Sequence, residues 1–76
     1  MNPNELKAQR VRLGLTQKDL ATKLGIQPSS YNKKENGINP FSSIELQKLK
    51  ILLSLEDDKF IKIFFDNDVI LNHIDI

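Results

Sequence analysis

The chain has 76 residues, a formal net charge of +1 and no cysteine. This length suits one small domain with a single core, and the absence of cysteine excludes a disulfide framework and a thiolate metal site. No apolar run approaches the roughly 20 residues of a membrane-spanning helix, and the polar N-terminus is unlike a secretory signal, so we expect a cytoplasmic domain.

The first predicted helix begins at the N-terminus of the chain. Asn2 is placed to cap it, Pro3 suits the first helical position, and Glu5 is expected to reach back to the cap. The helix is predicted to run to Leu13 and to end at Gly14, because glycine readily adopts the left-handed conformation of a helix end.

Arg10 lies on the apolar side of this helix. Leu6, Arg10 and Leu13 fall at positions i, i+4 and i+7, which share one helical face. A guanidinium group on a buried face needs a partner, and Glu35 is the best candidate. The alternative is that Arg10 extends along the helix edge to reach solvent.

The next two predicted helices are separated by a tight turn. Thr16 is placed to cap a helix over about residues 17–24, and Asp19 completes a capping box. Gly25 ends that helix, and a second one follows over about residues 28–35. Two helices joined by a short turn with a glycine form a helix-turn-helix motif, whose second helix can lie in the DNA major groove.

Two further capping boxes predict the last two helices. Ser42 and Glu45 open a fourth helix that runs through Leu53, and Ser54 and Asp57 open a fifth. Five helices without a convincing strand before residue 66 predict an all-α domain over residues 1–65.

The C-terminal tail, residues 66–76, has a different pattern. Val69 and Leu71 alternate with Ile70 and Asn72 in a segment rich in β-branched residues, which favours a strand over a helix. A lone strand needs a partner for its backbone. Two arrangements remain open: pairing with the same tail of a second subunit, which would make this an association segment, and packing of a coil on the core.

The residues of catalytic and metal sites do not occur in a usable pattern. His73 is the only histidine, and nothing in the sequence places a serine beside it. Asp66-Asn67-Asp68 is similar to the start of a calcium loop but lacks the required glycine and closing glutamate. We therefore expect no enzymatic activity, no cofactor and no metal.

One set of residues keeps a regular spacing: Leu6, Arg10, Gly14-Leu15-Thr16-Gln17, Leu20-Ala21, Leu24-Gly25 and Glu35-Asn36-Gly37. In these residues the chain resembles the phage-repressor and Cro-like (XRE-type) helix-turn-helix family. The resemblance implies a compact five-helix, lambda-repressor-like domain that binds operator DNA, usually as a dimer. It also implies that Arg10 and Glu35 form a buried structural ion pair.

The resemblance further implies a set of DNA-binding residues: Thr16, Gln17, Gln27, Pro28, Ser29, Lys33 and Asn36. Gln17 and Asn36 are expected to contact the phosphate backbone. Gln27 is suited to adenine and Lys33 to guanine O6 and N7, while Pro28 offers only apolar contact, for instance to a thymine methyl group. A second departure from the family pattern is Lys34, where a large apolar residue is common.

The charge distribution bears on function. Residues 1–50 contain nine Lys/Arg and four Asp/Glu, a balance of +5, whereas residues 51–76 contain two Lys and six Asp/Glu, a balance of −4. The first part is therefore suited to phosphate. We expect a sequence-specific transcriptional regulator of the Cro/repressor type, of phage or bacterial origin, that binds double-stranded operator DNA as a homodimer.

An alternative function is protein binding. The chain would then be a helix-turn-helix protein that acts mainly on a partner regulator, as an antirepressor, or on a toxin, as an antitoxin. The modest net charge and the apolar Pro28 favour this interpretation. The salt dependence of duplex binding distinguishes the two functions, since counterion release makes phosphate binding steeply salt-dependent.

Overall fold

The computed structural model describes residues 1–65. They form five helices: α1 (Pro3–Arg12), α2 (Gln17–Leu24), α3 (Pro28–Glu35), α4 (Ser43–Leu52) and α5 (Asp57–Phe65). No strand occurs in this part of the chain, and the predicted all-α fold with its helix-turn-helix pair is confirmed. None of the five helices is long and apolar enough to span a membrane. The predictions for the tail, residues 66–76, lie outside the described residues.

Three helices begin at side-chain caps. The Asn2 Oδ1 atom accepts a hydrogen bond from the Glu5 backbone N–H at 3.3 Å. Complete capping boxes open α2, where Thr16 pairs with Asp19, and α4, where Ser42 pairs with Glu45. Each box satisfies backbone donors that have no partner within their own helix.

The prediction that Glu5 completes a capping box on α1 is wrong. The backbone N–H of Asn2 donates instead to the carbonyl of Ile63 in α5, at 2.6 Å. The Glu5 carboxylate lies 3.6 Å from the Lys59 ammonium group, also in α5. Tertiary contacts with α5 therefore replace the local interaction.

The assignment of Ser54 as the cap of α5 is also wrong. Ser54 has φ +53° and follows the end of α4, where its N–H donates to Ile51 and the N–H of Leu55 donates to Lys50. This is the arrangement of a Schellman motif, with a serine at the position that glycine usually occupies. The helix α5 begins three residues later, at Asp57.

The core is formed by the apolar side chains on one side of each of the five helices. Helix α1 packs on α3 and α5, and α2 packs on α3 and α4. The buried apolar residues of the core are Leu6, Leu20, Ala21, Leu24, Tyr31, Leu49, Leu53, Leu55, Ile63 and Phe64.

A chain of aromatic contacts fixes α3 against α5. The centroid of the Tyr31 ring lies 5.9 Å from that of Phe41, in the loop after α3. The centroids of Phe41 and Phe64 are 6.0 Å apart, with the rings edge to face. Phe60 then lies 5.1 Å from Phe64. Aromatic pairs at these distances add packing energy beyond the area that they bury. These contacts therefore fix the orientation of α3 relative to α5.

Candidate nucleic-acid interface

Helix α3 has one buried face and one exposed face. Tyr31 and Glu35 point into the domain and are almost completely buried. Ser29, Asn32 and Lys33 are exposed and, since they are three and four positions apart, share one side of the helix. The side chains on this side are polar, and a major groove could receive them.

The buried face of α3 is held by an ion pair with α1. The Arg10 Nε atom lies 2.8 Å from Glu35 Oε1, and Arg10 Nη2 lies 3.2 Å from Glu35 Oε2. Arg10 Nη1 also donates to the carbonyl of Leu15 at 2.8 Å, in the loop that precedes α2. Arg10 is 7% exposed and Glu35 1%. A single guanidinium group thus connects α1, α3 and the start of the motif.

The ion pair with Arg10 keeps the Glu35 carboxylate ionised and shields its charge from the protein surface. Burial raises the pKa of the Glu35 carboxyl, but hydrogen bonds from Arg10 and Gln17 outweigh it and lower the pKa overall. The carboxylate therefore remains ionised at neutral pH. Because it is buried and paired, it presents little negative potential to a polyanion approaching α3.

Gln17 lies half-buried between the ion pair and the exposed face. Its Nε2 atom donates to Glu35 Oε2 at 3.1 Å, and its Oε1 accepts from Asn32 Nδ2 at 3.1 Å. The structure therefore brings Gln17 next to α3, and its second amide hydrogen has no partner in the part of the chain that the structure describes.

Asn32 was not among the site residues predicted from the sequence. It lies three positions after Ser29 and four before Asn36, so the helical period of the exposed face is a signal that could have identified it.

Tyr31 places a hydroxyl group beside the ion pair. This hydroxyl is buried beside the Glu35 carboxylate, but no acceptor within the described residues meets it at hydrogen-bonding distance and angle. Burial raises its pKa above the ordinary value of 10.0, and the charge of nearby Glu35 raises it further. Tyr31 is thus a neutral packing residue rather than a base-stacking one.

Lys34 occupies a position where a large apolar residue is common in the family that the chain resembles. Its side chain nevertheless connects two helices. Its Nζ atom lies 2.7 Å and 2.9 Å from the two oxygens of Glu45, near the start of α4. Both side chains are less than one-fifth exposed. Glu45 Oε1 also accepts the backbone N–H of Ser42 at 2.9 Å. The ion pair therefore joins the last turn of α3 to the capping box of α4.

The other predicted site residues lie at the two ends of the motif helices. Gln27 and Pro28 are exposed at the start of α3, and the Gln27 side chain makes no capping hydrogen bond. Asn36 is exposed at its other end. Thr16 is exposed before α2, where its hydroxyl accepts the backbone N–H of Asp19 at 2.9 Å, so its position is set by capping.

Residues 1–65 contain no group of acidic or histidine side chains arranged to hold a metal ion. The exposed side chains of α3 offer hydrogen bonds, charge and apolar contact. These are the interactions by which proteins read DNA.

Comparison with protein families agrees with this geometry. The model of a family described as Helix-turn-helix matches residues 6–57, which is more than half of the chain. No curated protein and no solved structure gives a significant match. The matched segment extends from the buried Leu6 of α1 to the first residue of α5 and includes the whole motif. The chain therefore belongs to the Cro- and repressor-like (XRE-type) helix-turn-helix family of DNA-binding transcription regulators.

Proposed function

We propose that the chain is a sequence-specific regulator of the Cro/repressor type, from a phage or a bacterium, that reads operator DNA with the exposed face of α3. The observation that carries this proposal is the division of α3 into two faces. Tyr31 and Glu35 are buried, whereas Ser29 and Lys33 are exposed and make no side-chain hydrogen bond to another described residue. Their donors and acceptors remain available to base edges.

The positions of the remaining predicted residues fit contacts with the phosphate backbone. Gln17 begins α2 and retains one amide hydrogen, while Asn36 follows α3 with its side chain exposed. The N-terminus of α2 and the side-chain amides of both residues are suited to phosphate oxygens. Gln17 lies beside Glu35, the last residue of α3, so phosphate contacts from Gln17 and Asn36 would anchor that end of the helix and fix its register in the groove.

The first test is a binding assay with the full chain. A duplex selected from a random pool is titrated by fluorescence anisotropy at several salt concentrations. For about four to six neutralised phosphates per dimer, the logarithm of the affinity should fall with the logarithm of salt at a slope of about −4 to −5. A flat dependence between low and moderate salt would contradict the proposal.

A matched pair of variants locates the interface. Lys33→Ala should lower affinity for the selected duplex by roughly tenfold or more, since a lysine contact to guanine is lost. Lys62→Ala, which removes an exposed lysine from α5, should leave affinity within about twofold. Equal losses in both variants would indicate that only the total charge matters and would refute reading by α3.

We further propose that the functional unit is a homodimer assembled through the tail. Val69, Ile70 and Leu71 begin a group of large aliphatic side chains that would be unfavourable in water. Residues 1–65 already bury apolar side chains from all five helices, so a chain ending at Phe65 should fold. It should sediment as a monomer while the full chain sediments as a dimer. If both are monomeric at high concentration, the homodimer is excluded.

A second candidate function is binding to another protein. An apolar groove of about 330 Å³ lies between the N-terminus, the loop after α3 and α5, and Ile38 on its rim is 68% exposed. Surfaces of this kind favour protein partners. In this case the chain would act as an antirepressor or an antitoxin, and Ile38→Asp would abolish partner binding without changing duplex affinity.

A further inference from the structure

The hydrogen bonds around Gln17 determine which way its amide points. The Glu35 carboxylate is ionised, so it can only accept hydrogen bonds. The group of Gln17 that lies 3.1 Å from it must therefore be the NH₂ group. The amide oxygen of Gln17 then faces Asn32, which must present its own NH₂ group across 3.1 Å.

These hydrogen bonds belong to a chain that extends outward from the core to the surface of α3. Arg10 fixes the carboxylate of Glu35, Glu35 fixes the amide of Gln17, and Gln17 fixes the amide of Asn32. The first two residues are buried, Gln17 is half-buried and Asn32 is exposed. A buried ion pair thus sets the orientation of an amide group on the surface of α3.

This orientation leaves Asn32 with one donor and one acceptor. One Nδ2 hydrogen is used by Gln17, while the second hydrogen and Oδ1 have no partner among residues 1–65. A donor and an acceptor on one planar amide match N7 and the N6 amino group of adenine in the major groove. Asn32 also lies in the middle of the exposed face, next to Lys33.

We propose that Asn32 is a specificity-determining residue that reads an adenine while its amide is held by Gln17. This inference rests on the proposed function, since it requires α3 to enter the major groove. Asn32 therefore has two tasks. It specifies one base pair, and it keeps the free amide hydrogen of Gln17 directed at the phosphate backbone.

The test compares base preferences at every position of the site. The full chain, Asn32→Ala and Asn4→Ala are each used to select duplexes from the same random pool at one salt concentration. Asn4 is an exposed asparagine of α1, away from the motif. Alanine favours helix at both positions, and thermal melting checks that both variants are folded.

We expect Asn32→Ala to lose about tenfold in preference for adenine at one position and to keep its preferences elsewhere. Asn4→Ala should retain the complete profile. If Asn32→Ala weakens binding to all sequences equally, with an unchanged profile, Asn32 only supports Gln17 and the inference is wrong. If the full chain shows no base preference at all, both the inference and the proposed function are wrong.

A second measurement examines the free protein and does not depend on DNA. The side-chain amide resonances of Gln17 are followed by NMR in the full chain and in Asn32→Ala. Loss of the hydrogen bond to its oxygen should shift these resonances, whereas Asn4→Ala should leave them in place. Unchanged Gln17 resonances in Asn32→Ala would overturn the proposed coupling of the two amides.

Discussion

Replacing Arg10 by alanine should destabilise the domain severely. The substitution removes both hydrogen bonds to Glu35 and the bond to the Leu15 carbonyl. If the backbone did not move, Glu35 would remain buried, since it is 1% exposed in the wild type. Gln17 would then be its remaining hydrogen-bond donor. Removing one partner of a buried ion pair costs about 3–5 kcal/mol because the other charge is left uncompensated.

This loss is large for a chain of 76 residues. At about 0.05–0.15 kcal/mol per residue, its total free energy of unfolding should be about 4–11 kcal/mol. Each kcal/mol lowers the melting temperature of such a small domain by about 4–8 °C, so Arg10→Ala should lower it by at least about 12 °C. At the lower limit of stability, the variant would be largely unfolded at 37 °C.

The assay is urea and thermal unfolding followed by circular dichroism. Lys7→Ala is a matched control, because Lys7 is an exposed cationic residue on the same helix, and its loss should change stability by less than about 0.5 kcal/mol. The double variant Arg10→Met/Glu35→Leu removes both charges and should recover most of the lost stability. A free energy of unfolding for Arg10→Ala within about 1 kcal/mol of wild type would refute the reasoning.

The pH dependence provides an independent check. In the wild type the pKa of Glu35 is below its ordinary value of 4.5. Its stabilising contribution is therefore complete above that value and is lost as the pH falls through the lower pKa of the folded state. In Arg10→Ala, burial of an unpaired carboxyl should instead raise the Glu35 pKa. The stability difference between the two proteins should thus shrink between pH 7 and pH 4.

Two further substitutions test other parts of the fold. Tyr31→Phe removes a buried hydroxyl without a hydrogen-bond partner, so stability at pH 7 should be unchanged or slightly higher. Because the Tyr31 pKa is raised in the folded state, wild-type stability should fall above about pH 10, and the variant should lose less in urea unfolding there. Ser54→Gly relieves a left-handed serine and should stabilise by about 0.5–1 kcal/mol. A loss of stability instead would indicate that Ser54 acts as a helix cap.

The positions of the helices could be predicted from the sequence because their signals are local. Thr16 and Asp19 lie three residues apart, and their capping box forms within a single helical turn. Gly25 ends α2 with φ +75°, a conformation that glycine adopts without steric cost. Such interactions depend on neighbouring residues and hardly at all on the rest of the fold.

The errors occurred where a local signal competed with a distant partner. Ser54 has the sequence context of a cap, but the burial of Leu55, which is 5% exposed, favours the turn that ends α4. The predicted bond from Glu5 to Asn2 is lost because the carbonyl of Ile63, in the last helix, takes the Asn2 N–H. Burial and long-range hydrogen bonds decided both cases.

The candidate interface shows the same division. The sequence by itself determined which residues α3 exposes, because the helical period separates Tyr31 and Glu35 from Lys33. Only the tertiary structure decided how Gln17 and Asn32 are oriented. Their hydrogen bond joins residues fifteen positions apart, and it depends on a carboxylate that α1 holds in place. A spacing in the sequence specifies a face, whereas the direction of a donor on that face is set by packed neighbours.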